Sequence, residues 1–316
     1  MREWAAFTGL PCKRFLPWIG LYEGRYHDWK QRYGRANEHN GWIPRDHWLD
    51  DDEKEAIKDF ARNHPLEGYR RLTFVMMDQD IAAASPSTVY RVLKEADLLQ
   101  RWKRGASAKG TGYQQPEEPH QDWHTDIAYL NICGTFYYLI SVLDGCSRSI
   151  IAWDIGESMT TQDVEIVLQR AHEAFPDARP KVVSDNGGQF VSRDFKELIR
   201  VLGMTHARTS PYYPQSNGKI ERWHHTIKSE GIRPATPLSL DDARRIAADF
   251  IDHYNNVRLH SAIGYVTPKD RREGRHLDIF QERDHKLQRA REARAQKRQQ
   301  ARAQLDQHAD RQVGRP

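Results

Sequence analysis

The sequence predicts an α/β protein, a mixed sheet with flanking helices that is preceded by a helical segment. Three runs of apolar, β-branched and aromatic residues follow one another between residues 121 and 155, and turn residues separate them. Short apolar runs and amphipathic helical patterns then alternate as far as residue 208, whereas residues 49–100 read as three short helices. Strands that alternate with helices are typical of a sheet covered by helices.

The helical part begins with Asp50-Asp51-Asp52-Glu53, an acidic run that suits the positive end of a helix. Gly68 opens a second helix, and Ser85-Pro86 caps a third, whose outward residues include Arg91 and Lys94. Two short helices and a capped third are typical of a helix-turn-helix, with Arg91 and Lys94 as DNA contacts. A small helical bundle with a solvated basic face is the alternative.

The sheet is predicted from a change in pattern at residue 121. Cys133-Gly134 and Asp144-Gly145 break the β-rich sequence into three strands in a tight meander. An apolar stripe then marks an amphipathic helix, and further strands and helices follow. The predicted elements are strands at 123–132, 136–143 and 149–155, a helix at 161–175, a strand at 182–183, a helix around 195–202, a strand at 205–208 and a helix around Glu221.

Bulk properties exclude several classes of protein. The chain has 316 residues and a formal charge of +4, and no run approaches the eighteen apolar residues of a membrane-spanning helix. Its N-terminus has no apolar core of the kind found in signal peptides. The scattered Cys12, Cys133 and Cys146 fit neither a disulfide framework nor a zinc site. We therefore expect a protein of a reducing, intracellular compartment such as the cytoplasm, with no membrane partner.

Composition divides the chain into parts. A stretch rich in Gly, Ser, Gln and Pro reads as a linker. Residues 281–316 hold 10 Lys and Arg against 5 Asp and Glu with almost nothing apolar, so a solvated helix or disorder is expected, with or without a nucleic-acid contact. The predicted parts are a basic, aromatic segment (1–48) with a helix over 16–30, a helix-turn-helix-like domain (49–102), the linker (103–120), the α/β core (121–270) and a basic helical or disordered tail (271–316).

Three acidic residues stand out in the core. Asp126 lies in mid-strand among large apolar neighbours, where an aspartate is disfavoured unless it has a partner. Asp185 follows a short strand and enters Asn-Gly-Gly, which a plain turn also explains. Glu221 shares a helix face with His225 and Lys228, and a solvated glutamate is its ordinary interpretation. Together, three carboxylates on two strands and a helix are the oxygen donors that two Mg²⁺ ions use in phosphoryl transfer.

The order Asp126, Asp185, Glu221, with 35 residues between the last two, resembles the Asp-Asp-Glu core of retroviral integrases and related transposases. Asp144 also matches that family but is interpreted as a turn residue. Residues 184–190 and 213–222 carry this resemblance. Residues 254–268 are similar to the sequence that closes the core in bacterial insertion-sequence transposases of the IS-three type. Residues 65–71 and 89–93 are similar to the helix-turn-helix of the same transposases.

The resemblance implies a ribonuclease H-like core and a DNA transposase that cleaves at insertion-sequence ends and transfers the freed 3′-OH into DNA. It implies Asp126, Asp185 and Glu221 as catalytic residues and as ligands of two Mg²⁺ or Mn²⁺ ions. The implied DNA contacts are Lys228, His225, Asn217 and Lys219. The implied partners are double-stranded DNA (terminal inverted repeats and target), further copies of the chain, and an upstream reading-frame product.

The cysteines do not permit the His-His-Cys-Cys zinc module of a retroviral integrase, which favours the bacterial branch of the family. Two other functions are open at this point. A stand-alone nuclease could use the same core, although it would need no basic arms or helix-turn-helix. A non-catalytic DNA-binding protein derived from a transposase would be indicated by the loss of one carboxylate, and all three are present.

Overall fold

The computed structural model describes residues 2–32, 48–99, 115–209 and 217–313. These residues fall into two compact units, residues 49–293 and residues 1–48 together with 294–316. Most of the predicted linker and the loop before the Glu221 helix lie outside the described residues. No helix in the described ranges is long and apolar enough to cross a membrane.

A three-helix domain opens the larger unit. Its helices are α3 (Asp51–Asn63), α4 (Tyr69–Asp78) and α5 (Pro86–Glu95). The Ser85 hydroxyl accepts from the Thr88 N–H at 3.3 Å, so the predicted cap of the third helix is present. One apolar core joins the helices, with Ile57, Met76 and Leu93 at its centre. Fixing any one of these helices therefore fixes the other two.

The second part is a five-stranded mixed sheet. Its strands are β1 (Asp122–Ile132), β2 (Thr135–Asp144), β3 (Ile150–Gly156), β4 (Lys181–Ser184) and β5 (Thr205–Arg208), and their order in the sheet is β3-β2-β1-β4-β5. The first three strands pair antiparallel, and β4 and β5 continue parallel to β1. This is the strand order of a ribonuclease H-like fold, so the predicted fold class is confirmed.

Helices cover both faces of the sheet. On one face lie α6 (Thr161–Ala174), α7 (Gly188–Val191) and α8 (Arg193–Val201), which bury Val164, Phe195 and Ile199 against Trp123 and Ile140. On the other face lie α9 (Gly218–Thr226), a π-helical turn (Ile227–Ile232), α10 (Arg233–Ala235) and α11 (Leu240–Asn256). Because alternate residues of a strand point to opposite faces, β1 and β2 contribute to both cores.

The long helix α11 was not predicted, although it completes the second face. Its Tyr254 packs edge-on against Trp223 with ring centroids 4.7 Å apart. The Asn255 side chain accepts from the Ile150 N–H at 2.9 Å and donates to the Ile150 carbonyl at 3.0 Å. One side chain thus does for the edge strand β3 what a neighbouring strand would do.

The chain continues through α12 (Pro268–Arg272) into a single helix, α13 (His276–Val313). In the smaller unit, α1 (Arg2–Thr8) and α2 (Glu23–Arg32) flank two short 3₁₀ turns. The helix predicted over residues 16–30 begins only at Glu23. Gly20 has φ +66°, a left-handed conformation that a continuing α-helix does not contain.

Candidate active site

Asp126 lies in the middle of β1, opposite Ser141 of β2. Its side chain is 19% exposed. The Ile127 N–H donates to Asp126 Oδ1 at 2.8 Å and so fixes the rotamer of the carboxylate. Among the residues that the structure describes, Asp126 Oδ2 receives no hydrogen bond. One oxygen is held by the strand, and the other is open to a ligand.

Asp185 follows β4 directly, at the edge where β1 and β4 run side by side. The parallel register pairs His124 with Val183. Two positions further along each chain segment stand Asp126 and Asp185. The Gly187 N–H donates to Asp185 Oδ1 at 2.8 Å. The Asn186 amide donates to the Thr209 carbonyl at 2.9 Å and ties the turn to the end of β5.

Gly187 shows why the turn needs a glycine. A Cβ at this position would lie 3.0 Å from Asp185 Oδ1 and 3.0 Å from Gln189 Oε1, tighter than ordinary contact. At Gly188, by contrast, a Cβ would meet nothing within 4 Å. The first glycine of the Asp-Asn-Gly-Gly turn therefore makes room for the carboxylate of Asp185.

Glu221 sits in the first turn of α9 with its side chain exposed. Ile220 and Trp223 anchor the opposite side of the helix, both essentially buried. The Trp223 indole N–H donates to the hydroxyl of Ser141 at 3.1 Å, and Ser141 is the strand partner of Asp126. The helix that carries Glu221 is thus pinned to the sheet at the level of Asp126.

The pKa of Asp126 reflects its burial and the charges around it. Burial raises the pKa of Asp126 to about 6, and the negative charges of Asp185 and Glu221 add to the shift. The hydrogen bond from Ile127 and the nearby ammonium of Lys228 oppose it. Without a cation, Asp126 is a desolvated carboxylate that also feels two like charges.

Lys228 reaches this site from the π-helical turn Ile227–Ile232. Its pKa is lowered by burial and by the charge of Arg233, while Asp126 acts in the opposite direction. Gly231 permits the turn to pack, because a Cβ there would come 2.9 Å from the Phe250 ring. Single π-helical turns inside helices are common at functional sites.

His224 is a site residue that the sequence did not single out. Its Nδ1 lies 3.6 Å from Asp126 Oδ2, and burial lowers the pKa of the imidazole to about 3, helped by the charge of Lys228. It is therefore neutral at neutral pH and does not compensate the carboxylate. The signal was present, since residues three positions apart on a helix share a face, and His224 follows Glu221 by three.

The remaining predicted site residues lie in different surroundings. His225 is exposed on α9. Lys219 is half-buried and donates to the Gly145 carbonyl at 3.0 Å, and Asn217 is 5% exposed at the start of α9. Arg91 and Lys94 lie exposed on α5, in the three-helix domain. The structure therefore brings Lys228 to the carboxylates, turns Lys219 and Asn217 towards the protein, and leaves the other three in solvent.

Asp144, at the end of β2, has hydrogen-bond donors for both carboxylate oxygens. It is fully buried. Its Oδ1 accepts from the His120 N–H at 2.7 Å, and its Oδ2 accepts from the N–H and the hydroxyl of Ser147 at 2.7 and 2.6 Å. Both oxygens are occupied, as expected of the turn residue that the sequence analysis took it for.

The donor set of the carboxylate site suits Mg²⁺ or Mn²⁺. Such ions take carboxylate oxygens and retain several waters, so a few carboxylates suffice. Asp126 and Asp185 each use one oxygen in a backbone hydrogen bond. Across the described ranges, no three Asp, Glu, His or Cys side chains converge closely enough to hold one ion together. Asp126 and Asp185 would form the fixed part of such a site, and the exposed Glu221 would complete it.

Comparison with known protein families finds two matches, and both describe an integrase core domain. One covers residues 116–214 and the other residues 202–268. The two matches include all three carboxylates.

The chain is also similar to curated transposases. Transposase InsD for insertion element IS2A/D/F/H/I/K of Escherichia coli is 28% identical over 264 residues, which cover 76% of this chain and 87% of the relative. Transposase InsD for insertion element IS2-9 of Escherichia coli (strain K12) is 28% identical over 264 residues, 76% of this chain and 85% of the relative.

Among solved structures, the chain is similar to one from a simian T-cell lymphotropic virus intasome in complex with PP2A regulatory subunit B56 gamma. The TM-score is 0.42 and the identity 18%, over 69% of this chain and 74% of that one. The HTLV-2 integrase catalytic core domain in complex with magnesium gives a TM-score of 0.40 and 19% identity, over 49% of this chain and 97% of that one.

Proposed function

We infer that this chain is a DNA transposase, a polynucleotidyl transferase with an integrase-like core that acts on an insertion sequence. The single observation that carries the inference is the placement of three carboxylates on β1, on the turn after β4 and on helix α9, whose Trp223 is hydrogen-bonded to Ser141 opposite Asp126. The integrase core matches and the transposase relatives support the same function. The retention of all three carboxylates argues against a non-catalytic DNA-binding protein.

The residues divide the work of phosphoryl transfer. Asp126 and Asp185 present one open oxygen each from positions fixed by Ile127 and Gly187, and Glu221 adds a third carboxylate. Two Mg²⁺ or Mn²⁺ ions held by these oxygens would supply charge neutralisation for the attacking and leaving oxygens of the phosphodiester. Burial of Trp223 and Ile220 keeps Glu221 beside the strands.

DNA contacts are proposed for the cationic side chains with room to reach a phosphate. Lys228 stands beside Asp126, and His225 lies exposed on the preceding helix α9. Arg91 and Lys94 face solvent on α5, where a helix-turn-helix would read the end of the element. Asn217 and Lys219 would act indirectly, by shaping the start of α9.

The wider assignment follows from the proposed reaction. We propose that the insertion sequence is of the IS-three type, on the resemblance of residues 254–268. The substrates would be the terminal inverted repeats and a double-stranded target DNA. Joining two ends requires two active sites, so the chain would act as a homo-oligomer, with an upstream reading-frame product as a further partner. Bacterial chromosomal DNA as substrate places the reaction in the cytoplasm, at the nucleoid.

The test is a cleavage and joining assay on labelled duplex DNA that carries the terminal repeats flanking the chain's own gene. Wild-type protein should produce nicked and joined products with Mg²⁺ and none with EDTA. Asp185→Asn should abolish both products, while Asp194→Asn, the same change on an exposed residue of α8, should leave them intact. Specific binding of the repeats with no cleavage or joining by the wild type would reject the proposal.

A further inference from the structure

Arg283 of α13 is buried, with 4% of the residue exposed. Its Nε and Nη2 donate to the two carboxylate oxygens of Asp78 at 2.8 and 2.7 Å. Its Nη2 also donates to the Tyr265 carbonyl at 2.8 Å, and the guanidinium lies over the Phe74 ring, 4.8 Å from its centroid. A buried arginine with a bidentate carboxylate is a directional contact between the parts it joins.

The contacts of Arg283 join three segments of the larger unit. Asp78 and Phe74 belong to α4 of the three-helix domain, and Tyr265 belongs to the loop that follows α11 of the catalytic core. The Phe74 and Tyr265 rings stack with centroids 4.8 Å apart. We call these four residues the Arg283 junction.

The end of α4 is built for an external cation. Asp78 is the last residue of the helix, where the negative end of the helix dipole disfavours a carboxylate. Lys286, one turn beyond Arg283 on α13, donates to the terminal Met77 carbonyl at 3.0 Å and pairs with Asp80 at 2.7 Å. The unfavourable charges at this helix end are compensated by α13.

On the side of the catalytic core, the backbone at Gly264 and Tyr265 adopts a strained conformation that packing against α13 explains. Tyr265 has φ +58°, a left-handed conformation that is uncommon for a bulky residue. Gly264 has φ +83°, and a Cβ there would come 2.5 Å from the Phe280 ring of α13. Strain of this kind persists only where surrounding contacts impose it.

We propose that the Arg283 junction is a positioning device, which holds the DNA-reading helix α5 at a fixed distance from the carboxylate site and thereby selects the phosphodiester bond that is cut. The proposal rests on the proposed transposase function. Because α4 and α5 share one apolar core, holding α4 also holds α5. It assigns a role to the part of the basic tail that belongs to the larger unit. Arg283 positions α4 and does not itself contact DNA.

The test maps cleavage at nucleotide resolution on end-labelled terminal-repeat duplex with Mg²⁺. Wild type should cut mainly at one position. Arg283→Met should retain affinity for the repeat, cut at several neighbouring phosphates, and cut the wild-type position about a hundredfold more slowly, the cost expected of a misplacement of about 1 Å. Arg283→Lys keeps the charge without the bidentate geometry and should fall in between.

Arg289→Met is the matched control, since Arg289 lies on the same helix, is exposed and pairs with Glu282 of that helix. It should cut as the wild type does. If Arg283→Met does not fold, Asp78→Asn removes the same ion pair more gently and should spread the cut positions in the same way. A variant of the junction that cuts the single wild-type position at the wild-type rate would overturn the proposal.

Hydrogen–deuterium exchange separates this proposal from the proposed function, because it needs no cleavage. Arg283→Met should speed amide exchange at the end of α4 and in residues 260–266, with β1 and β4 unchanged. Unchanged exchange at those two places would overturn the junction even if the wild type is an active transposase. A wild type that never cleaves would reject the transposase, while faster exchange in the variant would still support the junction as the contact that holds α4.

Discussion

Two aspartates on neighbouring strands, Asp126 in β1 and Asp144 at the end of β2, are treated in opposite ways by the fold. Asp144 is fully buried and accepts three hydrogen bonds, two from Ser147 in the loop after β2 and one from His120 before β1. Asp126 accepts one, and the negative charges of Asp185 and Glu221 stand next to it. Burial alone therefore does not mark a functional acid. We propose that a functional acid is recognised instead by a desolvated carboxylate that has an open oxygen and neighbours of like charge.

The largest effect that would test this comparison is on catalysis. Asp126→Asn keeps the size of the side chain and its contact with Ile127 but removes a charge that a metal ion needs. The transition state should lose several kcal/mol of stabilisation, so the rate of cleavage should fall roughly a thousandfold or more. Single-turnover cleavage of the terminal repeat measures it, and a variant within tenfold of the wild type would break the comparison.

The same substitution at Asp144 should act on stability and not on catalysis. Asp144→Asn replaces an oxygen that accepts two bonds from Ser147, or the one held by His120, with an amide that cannot accept. Leaving buried donors unpaired should lower the free energy of unfolding by about 2–3 kcal/mol. Urea denaturation measures the change, with the exposed Asp241→Asn as control. An Asp144 variant of wild-type stability would show that the loop does not depend on its carboxylate.

The pH dependence of stability should sharpen the comparison further. In EDTA, the folded pKa of Asp126 is raised to about 6, above the unfolded value of about 3.9. The folded state then binds more protons between these values, so this group lowers stability as pH rises through 6. Asp126→Asn should therefore be more stable than wild type at pH 8, by on the order of 2 kcal/mol, and equal to it near pH 4. Chemical denaturation at both pH values measures the difference, and a constant offset would contradict it.

The smallest effect is expected at the turn that holds Asp185. Gly187→Ala places a Cβ 3.0 Å from Asp185 Oδ1 and should displace the carboxylate. We expect cleavage to fall about tenfold or more, as when an orienting contact is lost, with stability changed by less than about 1 kcal/mol. Gly188→Ala, which meets nothing within 4 Å, is the control. Equal cleavage activity of the two variants would show that Gly187 is not needed to make room for the carboxylate of Asp185.

Much of the fold could be predicted from local pattern. The strands at 123–132, 136–143 and 205–208 and the helix at 161–175 agree with the structure within one or two residues at each end, because alternation and a helical stripe are properties of a short window. The Cys133-Gly134 turn is likewise local, with positive φ at both residues.

What escaped prediction depends on distant contacts. His224 and His225 follow Glu221 by three and four residues, so both spacings fit a shared helix face. Only the packing of Trp223 on Ser141 decides that His224 is the one turned towards Asp126. The resemblance implies Lys219 as a DNA contact, but its hydrogen bond to the carbonyl of Gly145, 74 positions away, could not be predicted from local pattern. The helix over 16–30 failed for a local reason, since Gly20 permits a left-handed turn that the apolar pattern conceals.

The central claim is that Asp126, Asp185 and Glu221 form one cation site, and Mn²⁺ binding tests it most directly. Electron paramagnetic resonance reports free Mn²⁺ during a titration of the purified protein. The account predicts that wild type and Asp194→Asn deplete the free signal alike, that Asp185→Asn does so much less, and that added Mg²⁺ competes. Equal binding of Mn²⁺ by wild type and Asp185→Asn would contradict it.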